Sequence, residues 1–286
     1  MSALSSEARQ WLNDLLAFTV SIASNPAILT FPMNIRPCLV LSCLFTSAAF
    51  AAGAPKLPEI PAKPIAEKKE LLFADDFKGT THDAKWKKVV DTFTFENGAL
   101  KGTQTRDTLI PAADGKPEVK PHAAVYGLVQ PTKDSIVETK IRFDGNTMMD
   151  VEFDDRKYEG SHYGHLCRAQ VFLDKVNMVD ERDGSQSNNL IELRKDAAKN
   201  KEEINHLLAT HSASFPLATK LEAGKTYTFV VEIVGDEMRA SIDGTPVGYL
   251  KSPGIAHETK SQIELGVAGK SGWYEDIKVW NAAAVK

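Results

Sequence analysis

Residues 227–243 read YTFVVEIVGDEMRASID, and the way this stretch pairs with itself decides the fold. Gly235-Asp236 is a two-residue turn of the Gly-X kind, whose backbone twist matches that of the strands it joins. With that turn in place, Ile233 faces Met238, Val231 faces Ala240 and Phe229 faces Ile242, while Glu232 faces Arg239 on the reverse side. Apolar meets apolar and opposite charges meet, each pair favoured by roughly 0.2–1 kcal/mol. A period of two, with one apolar and one charged face, is the pattern of an antiparallel sheet laid on a core.

The same alternation recurs outward in both directions. Leu71–Phe77 opens the series. Thr92–Phe95 and Ala99–Gly102 follow, joined through Glu96-Asn97-Gly98, a strong tight-turn signal. Ile136–Phe143 and Met149–Asp154 flank Asp144-Gly145-Asn146 and form a second expected hairpin. Its expected register sets Phe143 against Met149, Ile141 against Val151 and Thr139 against Phe153, with Arg142 against Asp150, Lys140 against Glu152 and Glu138 against Asp154 behind them. Cys167–Leu173, Ile263–Val267 and Tyr274–Trp280 complete the strands. One segment departs from the pattern: residues 194–211 contain no Pro or Gly and place Ala197, Ala198, Ile204, Leu207 and Leu208 at helical spacing. The expectation is an all-β domain over residues 70–284, a jelly-roll sandwich of two antiparallel sheets with one inserted amphipathic helix at about 194–211.

The N-terminal part reads differently. Met33-Asn34-Ile35-Arg36 supplies a short basic start, Cys38–Phe45 an apolar run and Ala49-Phe50-Ala51 a small-x-small cleavage pattern. Residues 33–51 are therefore expected to be a signal peptide cut near Ala51, with residues 1–32 a non-native upstream extension from a misplaced start. A secreted or periplasmic location follows, with no stable membrane span in the mature chain because the apolar run is too short. A second reading makes residues 8–32, with Trp11, Leu12, Leu15, Leu16 and Phe18, an amphipathic or anchoring segment. From Ala52 to Lys69, Pro55, Pro58, Pro61 and Pro64 recur every third residue, which favours an extended spacer.

Charge narrows the partners. Of 34 basic and 38 acidic residues, two of each fall within residues 1–51, so the remaining chain keeps a net charge of −4. With no basic run, nucleic acid is not an expected partner. Two of the three cysteines, Cys38 and Cys43, lie in the leader. Cys167 alone can form neither an intramolecular disulfide nor a cysteine zinc cluster, and reads as an inert buried thiol.

Several stretches carry a family likeness: Leu72–Phe77 ahead of Trp86; the Phe95–Leu100 hairpin; Gly224–Thr228 leading to Val231-Glu232 and Ser241–Gly244; and the closing Tyr274–Trp280. In these the chain resembles the concanavalin A-like lectin/glucanase superfamily, and is most similar there to secreted bacterial domains labelled 3-keto-disaccharide hydrolase or family 16 glycoside hydrolase-like. The resemblance implies a carbohydrate partner, and a concave sheet that carries the sugar site. It also implies a departure. Family 16 glucanases carry Glu-x-Asp-x-(x)-Glu with two catalytic glutamates, whereas Glu152-Phe153-Asp154 is followed by Arg156 and Lys157 where the second glutamate belongs. Retaining hydrolysis needs both carboxylates about 5 Å apart, so that glutamate pair is not found.

Two functional readings stand. One is a glycoside hydrolase, acting on substrates such as 3-keto-disaccharides, with Glu138, Asp154 and His165 as acid/base groups. Its substrate-binding residues would be Arg168, Glu152, Gln170 and Trp273. The other is a non-catalytic carbohydrate-binding or surface-interaction module. Glu138 against Asp154 would be a like-charge pair, relieved by a cation, a sugar hydroxyl or a raised pKa. His162 and His165 could share a ligand only if the chain curls before the strand begins; otherwise His165 caps the core and Arg168 pairs with an acid such as Glu152. Asp174, Asp180, Glu181 and Asp183 surround a turn where calcium is conceivable, but they match no EF-hand spacing, so no cofactor or metal is expected. His257 with Trp273 and Tyr274 could form a stacking edge for a sugar.

Overall fold

A computed structural model of the chain describes residues 57–79, 83–90 and 92–286. The expected upstream extension, signal peptide, cleavage point and start of the spacer lie outside the described residues. Among the described residues there are fifteen strands: β1 (Ala66–Asp75), β2 (Trp86–Val90), β3 (Phe93–Glu96), β4 (Ala99–Thr103), β5 (Ala124–Leu128), β6 (Ser135–Asp144), β7 (Met148–Asp154), β8 (His165–Val171), β9 (Lys175–Asp180), β10 (Ser212–Pro216), β11 (Thr226–Val234), β12 (Glu237–Ile242), β13 (Thr245–Lys251), β14 (Gln262–Ala268) and β15 (Ser271–Ala284). They form two antiparallel sheets. The first runs β13-β12-β11-β6-β15-β4-β3 with β1 also on β15; the second runs β10-β9-β8-β7-β14-β5-β2.

Alternate side chains of each sheet meet in one core. Val137, Ile141, Phe143, Phe229, Val231, Ile233 and Tyr274 come from the first sheet. Met149, Val151, Phe153, Cys167, Ala169, Ile263 and Leu265 come from the second, and all of these are buried. At about 1.5–3 kcal/mol for each large apolar side chain removed from water, this layer is the main force holding the sheets together.

Two expected hairpins form, that of residues 227–243 in the expected register. Phe229 pairs with Ile242, Val231 with Ala240, Ile233 with Met238 and Glu232 with Arg239. Phe95 pairs with Leu100 across Asn97 and Gly98, both at positive φ (54° and 73°), the conformation that a tight type I′ turn demands.

The hairpin between residues 136–143 and 149–154 does not form. β6 lies between β11 and β15 in the first sheet, and β7 between β8 and β14 in the second. The link Gly145–Thr147 carries the chain across the sandwich. Asn146 accepts from Asp144 N–H (3.0 Å) and donates to Met148 O (3.2 Å), while Asn146 and Thr147 N–H bond to Ser271 and Ala268 carbonyls. Alternation assigned the faces of both strands correctly but carries no information about the partner. Glu138 therefore does not face Asp154: it pairs with Val230 and Lys278 across the first sheet and holds Lys68 at 2.8 Å.

Three further expectations change. The Glu232–Arg239 face is buried, because residues 61–66 lie over it. Ile65 and Ala66 N–H donate to Glu232 Oε2 (2.7 and 3.3 Å), and Arg239 Nε donates to Pro61 O (2.9 Å). The described end of the Pro-spaced stretch is thus a strap on the first sheet, and β1 begins at Ala66. An extended, proline-spaced backbone has no ladder of its own, so its N–H and C=O groups are free for side chains. The single helix expected at 194–211 is two: α1 (Asn188–Arg194), capped by Ser187 Oγ on Leu190 N–H (3.2 Å), and α2 (Lys201–Thr210). The polar stretch between them turns, and Asn200 Nδ2 bonds Leu193 O (3.0 Å). Only Leu190, outside the expected helix, is fully buried in either. Among the described residues, no helix is long and apolar enough to cross a membrane.

Candidate functional site

Because β7 lies mid-sheet with alternating side chains, Val151 and Phe153 enter the core and Asp150, Glu152 and Asp154 emerge together on the outer face of the second sheet. Their cross-strand neighbours are Gly266, Glu264 and Gln262 on β14 and Gln170, Arg168 and His165 on β8. A register shift between Phe153 and Asp154 turns His165 to the same face as Arg168. Glu181, one residue beyond β9, closes the group. From below, the Tyr274 hydroxyl lies 2.6 Å from Gly266 O and 2.8 Å from Asp150 O and accepts from Asp150 N–H, which pins β7 to β14 under the site.

The contacts form one network. Arg168 Nη2 meets Glu181 Oε1 at 2.8 Å, and Nη1 lies 3.5 Å from Glu152 and 3.7 Å from Asp150. His165 Nδ1 is 2.5 Å from Glu152 Oε1 and 3.0 Å from Asp154 Oδ1. That nitrogen has at most one hydrogen for two acceptors. Arg156 reaches Asp154 Oδ2 at 2.9 Å and also bonds Glu264. Asp150 Oδ1, Glu152 Oε1, Asp154 Oδ2, Glu181 Oε2 and Arg168 Nε are buried without a well-formed hydrogen bond. Gly266 makes room for the Asp150 carboxylate, since a Cβ there would come 2.2 Å from Asp150 Oδ1.

Five carboxylates out of water cannot all ionise freely. Burial pushes Asp154 up, with Glu152 and Glu264 adding to the rise, and burial likewise raises Asp150 against the pull of Arg168. Glu181 and Glu264 are also raised, by burial first. Glu152 goes the other way: burial opposes its charge, yet Arg168 and His165 together hold it below the usual carboxylate range. For His165, burial works against the charge, but Asp154 and Glu152 outweigh it and push the imidazole up to about 11.

At the rim, residues 162–164 make one turn before β8, so the chain does curl and the His162 and His165 rings lie 5.9 Å apart. Tyr163, at φ 49° and 74% exposed, stands beside them, and its carbonyl accepts from Arg156 Nη1 at 2.8 Å. A non-glycine residue in the left-handed region with a large exposed aromatic is the kind of local strain that collects at functional sites.

Of the residues singled out from sequence, Asp154, His165, Arg168 and Glu152 converge here, with Gln170 on the same face. Glu138 and Trp273 do not. Trp273 belongs to the first sheet, where its Nε1 donates to Asp144 (3.1 Å) and Arg142 stacks on its ring at 4.5 Å. His257 packs on Tyr158 (4.9 Å between rings) and bonds Asp155, so no stacking edge with Trp273 forms. The four acids around residues 174–183 do not gather either. Asp180 is consumed by Ser252 Oγ (2.5 Å), Gly254 N (3.0 Å), Asp183 N (3.0 Å) and His211 (3.2 Å), a clasp that ties the helical insertion to the sandwich; Asp183 pairs with Arg182. Cys167 is buried, and burial raises its thiol pKa. Sequence reasoning missed Arg156 and Glu264 as site residues. The available signal for Glu264 was a charged residue inside the apolar run Ile263–Val267.

No protein-family model and no curated protein matches the sequence. Solved structures share the fold. An endo-β-galactosidase from Clostridium perfringens that releases GlcNAcα1-4Gal is 15% identical, with a TM-score of 0.51 over 80% of this chain and 67% of that one. The laminarinase catalytic domain of Thermotoga maritima is 12% identical, with a TM-score of 0.51 over 75% and 99%. A Bacillus subtilis protein of unknown function with a galectin-like fold is 12% identical, with a TM-score of 0.50 over 77% and 100%. The chain has the concanavalin A-like jelly-roll fold.

Proposed function

We propose that this is an exported carbohydrate-active domain whose sugar site is the outer face of β7, β8 and β14. A single observation carries the reading: one strand presents three alternating carboxylates, Asp150, Glu152 and Asp154, beside two arginines and a histidine, with several oxygens unsatisfied. Sugar hydroxyls both donate and accept, and charge-assisted hydrogen bonds to them are the strong kind. Gln170 and Arg168 would hold hydroxyls, with the Asp150 carboxylate behind them. Tyr163 offers a face for a sugar ring at the rim.

In the catalytic version, Asp154 moves the proton to the glycosidic oxygen of an ordinary or oxidised glycoside such as a 3-keto-disaccharide, and Glu152 stabilises the charge that develops. One oxygen of each lies within 4.8 Å of the other, close enough for both to act on one glycosidic bond. Arg156 stands where family 16 enzymes place a glutamate, so their mechanism does not transfer as it stands.

One observation favours the binding-module reading. Side-chain exposure is 0% at Asp154 and 6% at Glu152, against 18% at His165, 22% at Arg168 and 32% at Arg156, so a ligand meets the cations first. A glycan array and a 3-keto-glycoside hydrolysis screen on the full chain separate the two. Turnover that falls at least 100-fold in Asp154→Asn supports the enzyme; binding without turnover supports the module. Neither binding nor turnover across the array overturns both.

A further inference from the structure

We propose that Glu152, Glu181 and His165 form a binding site for one divalent first-row transition-metal cation. One ligand atom from each lies within 4.8 Å of the others. One glutamate arrives from β7, the other from the first residue of the turn after β9, and the imidazole from the start of β8, so three separate segments of the fold build the set.

An acidic group is not a metal site by itself; what marks this one is atoms without partners. The Glu181 side chain has 0% exposure and the Glu152 side chain 6%, yet Glu181 Oε2 has no hydrogen-bond partner and Glu152 Oε1 has only the His165 Nδ1 contact at 2.5 Å. Arg168 does not supply it. Its Nη2 is committed to Glu181 Oε1 at 2.8 Å, its Nη1 stands back at 3.5 Å from Glu152, and its own Nε is unpartnered. Leaving a buried carboxylate oxygen unmatched is expensive, on the order of 1–3 kcal/mol or more. A cation held by Glu181 Oε2, Glu152 Oε1 and His165 Nδ1 would match the open Glu181 oxygen and take the place of the proton that His165 Nδ1 shares with Glu152.

Charge points the same way. Asp150, Glu152, Asp154, Glu181 and Glu264 face only Arg156, Arg168 and one imidazole. With all five ionised the face would be short of at least two positive charges, a deficit that one divalent ion would meet in place of protons. The donor set selects the ion: nitrogen with carboxylate oxygens suits zinc, manganese, iron or cobalt, while calcium and magnesium prefer oxygen alone. Bonds of about 2.0–2.2 Å place tetrahedral ligand atoms roughly 3.4 Å apart, within reach of small side-chain rotations here. His165 is the one partly exposed member, so the ion has an entry path.

The site stands independently of the carbohydrate reading, since metal binding is measured without sugar. Calorimetric titration of the EDTA-stripped full chain with Zn²⁺ alone should show one saturable equivalent. Affinity should fall at least 30-fold in Glu181→Gln and in His165→Asn, and remain unchanged in Glu138→Gln on the opposite sheet. No saturable binding, or binding unaffected in folded Glu181→Gln and His165→Asn, overturns the proposal. Tighter binding of Ca²⁺ than of Zn²⁺ overturns the nitrogen ligand. A measurement on the unaltered chain guards against variants that do not fold: Co²⁺ should give a visible absorption band with one-to-one stoichiometry, abolished by one equivalent of Zn²⁺, and its absence counts against the site.

Discussion

Each sheet of this sandwich buries a cross-strand Glu–Arg pair on its outer face, and the two pairs are opposites. Glu232 and Arg239 meet at 2.6 Å, and the strap over them supplies Ile65 N–H, Ala66 N–H and Pro61 O to the remaining atoms. Glu152 and Arg168 are 3.5 Å apart among four further acids that share Arg168, Arg156 and His165, and oxygens are left over. A buried ion pair with every lone pair matched is a structural device. One with too many acids and too few partners destabilises the fold unless something else binds there. The difference separates a face that holds the strap from a face whose acids outnumber its cations.

The largest expected effect is at the satisfied pair. Arg239→Met leaves Glu232 buried without its cation and should cost about 3–5 kcal/mol, read as a lower urea midpoint at an unchanged slope. The contrast is sharpest in the matched substitutions. Glu232→Gln should destabilise by about 1–3 kcal/mol because it weakens charge-assisted bonds. Glu181→Gln, which removes one charge from an over-acidic face, should be neutral or stabilising in the metal-free chain. If both variants lose the same stability under EDTA, the two faces are not different in kind. Removing residues up to Ile65 should cost roughly 2–4 kcal/mol through the lost bonds to Glu232 and Arg239, and a chain beginning at Ala66 with unchanged stability would show the strap to be passive.

How much of this was legible in the sequence depended on turn length. Gly235-Asp236 leaves its two strands no choice of partner, so the β11–β12 register follows from residue order. The longer link after Asp144 permits either a hairpin or a crossing, and the cross-strand charges of β6 and β7 suited a pairing that the fold does not make. Face assignment survived that error, because parity along a strand holds whatever the neighbour. Glu152 and Asp154 were therefore grouped correctly with each other and wrongly with Glu138. Arg156 and Glu264 come from a loop and a strand about 110 residues apart in the chain, and only pairing of β7 with β14 brings them together. The strap's position is not legible in the sequence, because composition reports that a proline-spaced segment is extended, not what it lies on.

The smallest expected effect is at Glu138. Its contact with Lys68 is half exposed, with side-chain exposure of 28% and 43%, and Glu138→Ala should change stability by no more than about 0.5 kcal/mol. A larger loss would mean that the first sheet's outer face carries more than surface pairs.

The most direct measurement compares the two faces with one ligand. Taking the saccharide that gives the strongest signal on the array, its affinity is measured calorimetrically for the full chain, for Asp150→Asn on the second sheet and for Glu138→Gln on the first. Affinity should fall at least tenfold in Asp150→Asn and stay within a factor of two in Glu138→Gln. Equal affinity in Asp150→Asn, or a loss confined to Glu138→Gln, would contradict the assignment of the sugar site to the carboxylate face of β7.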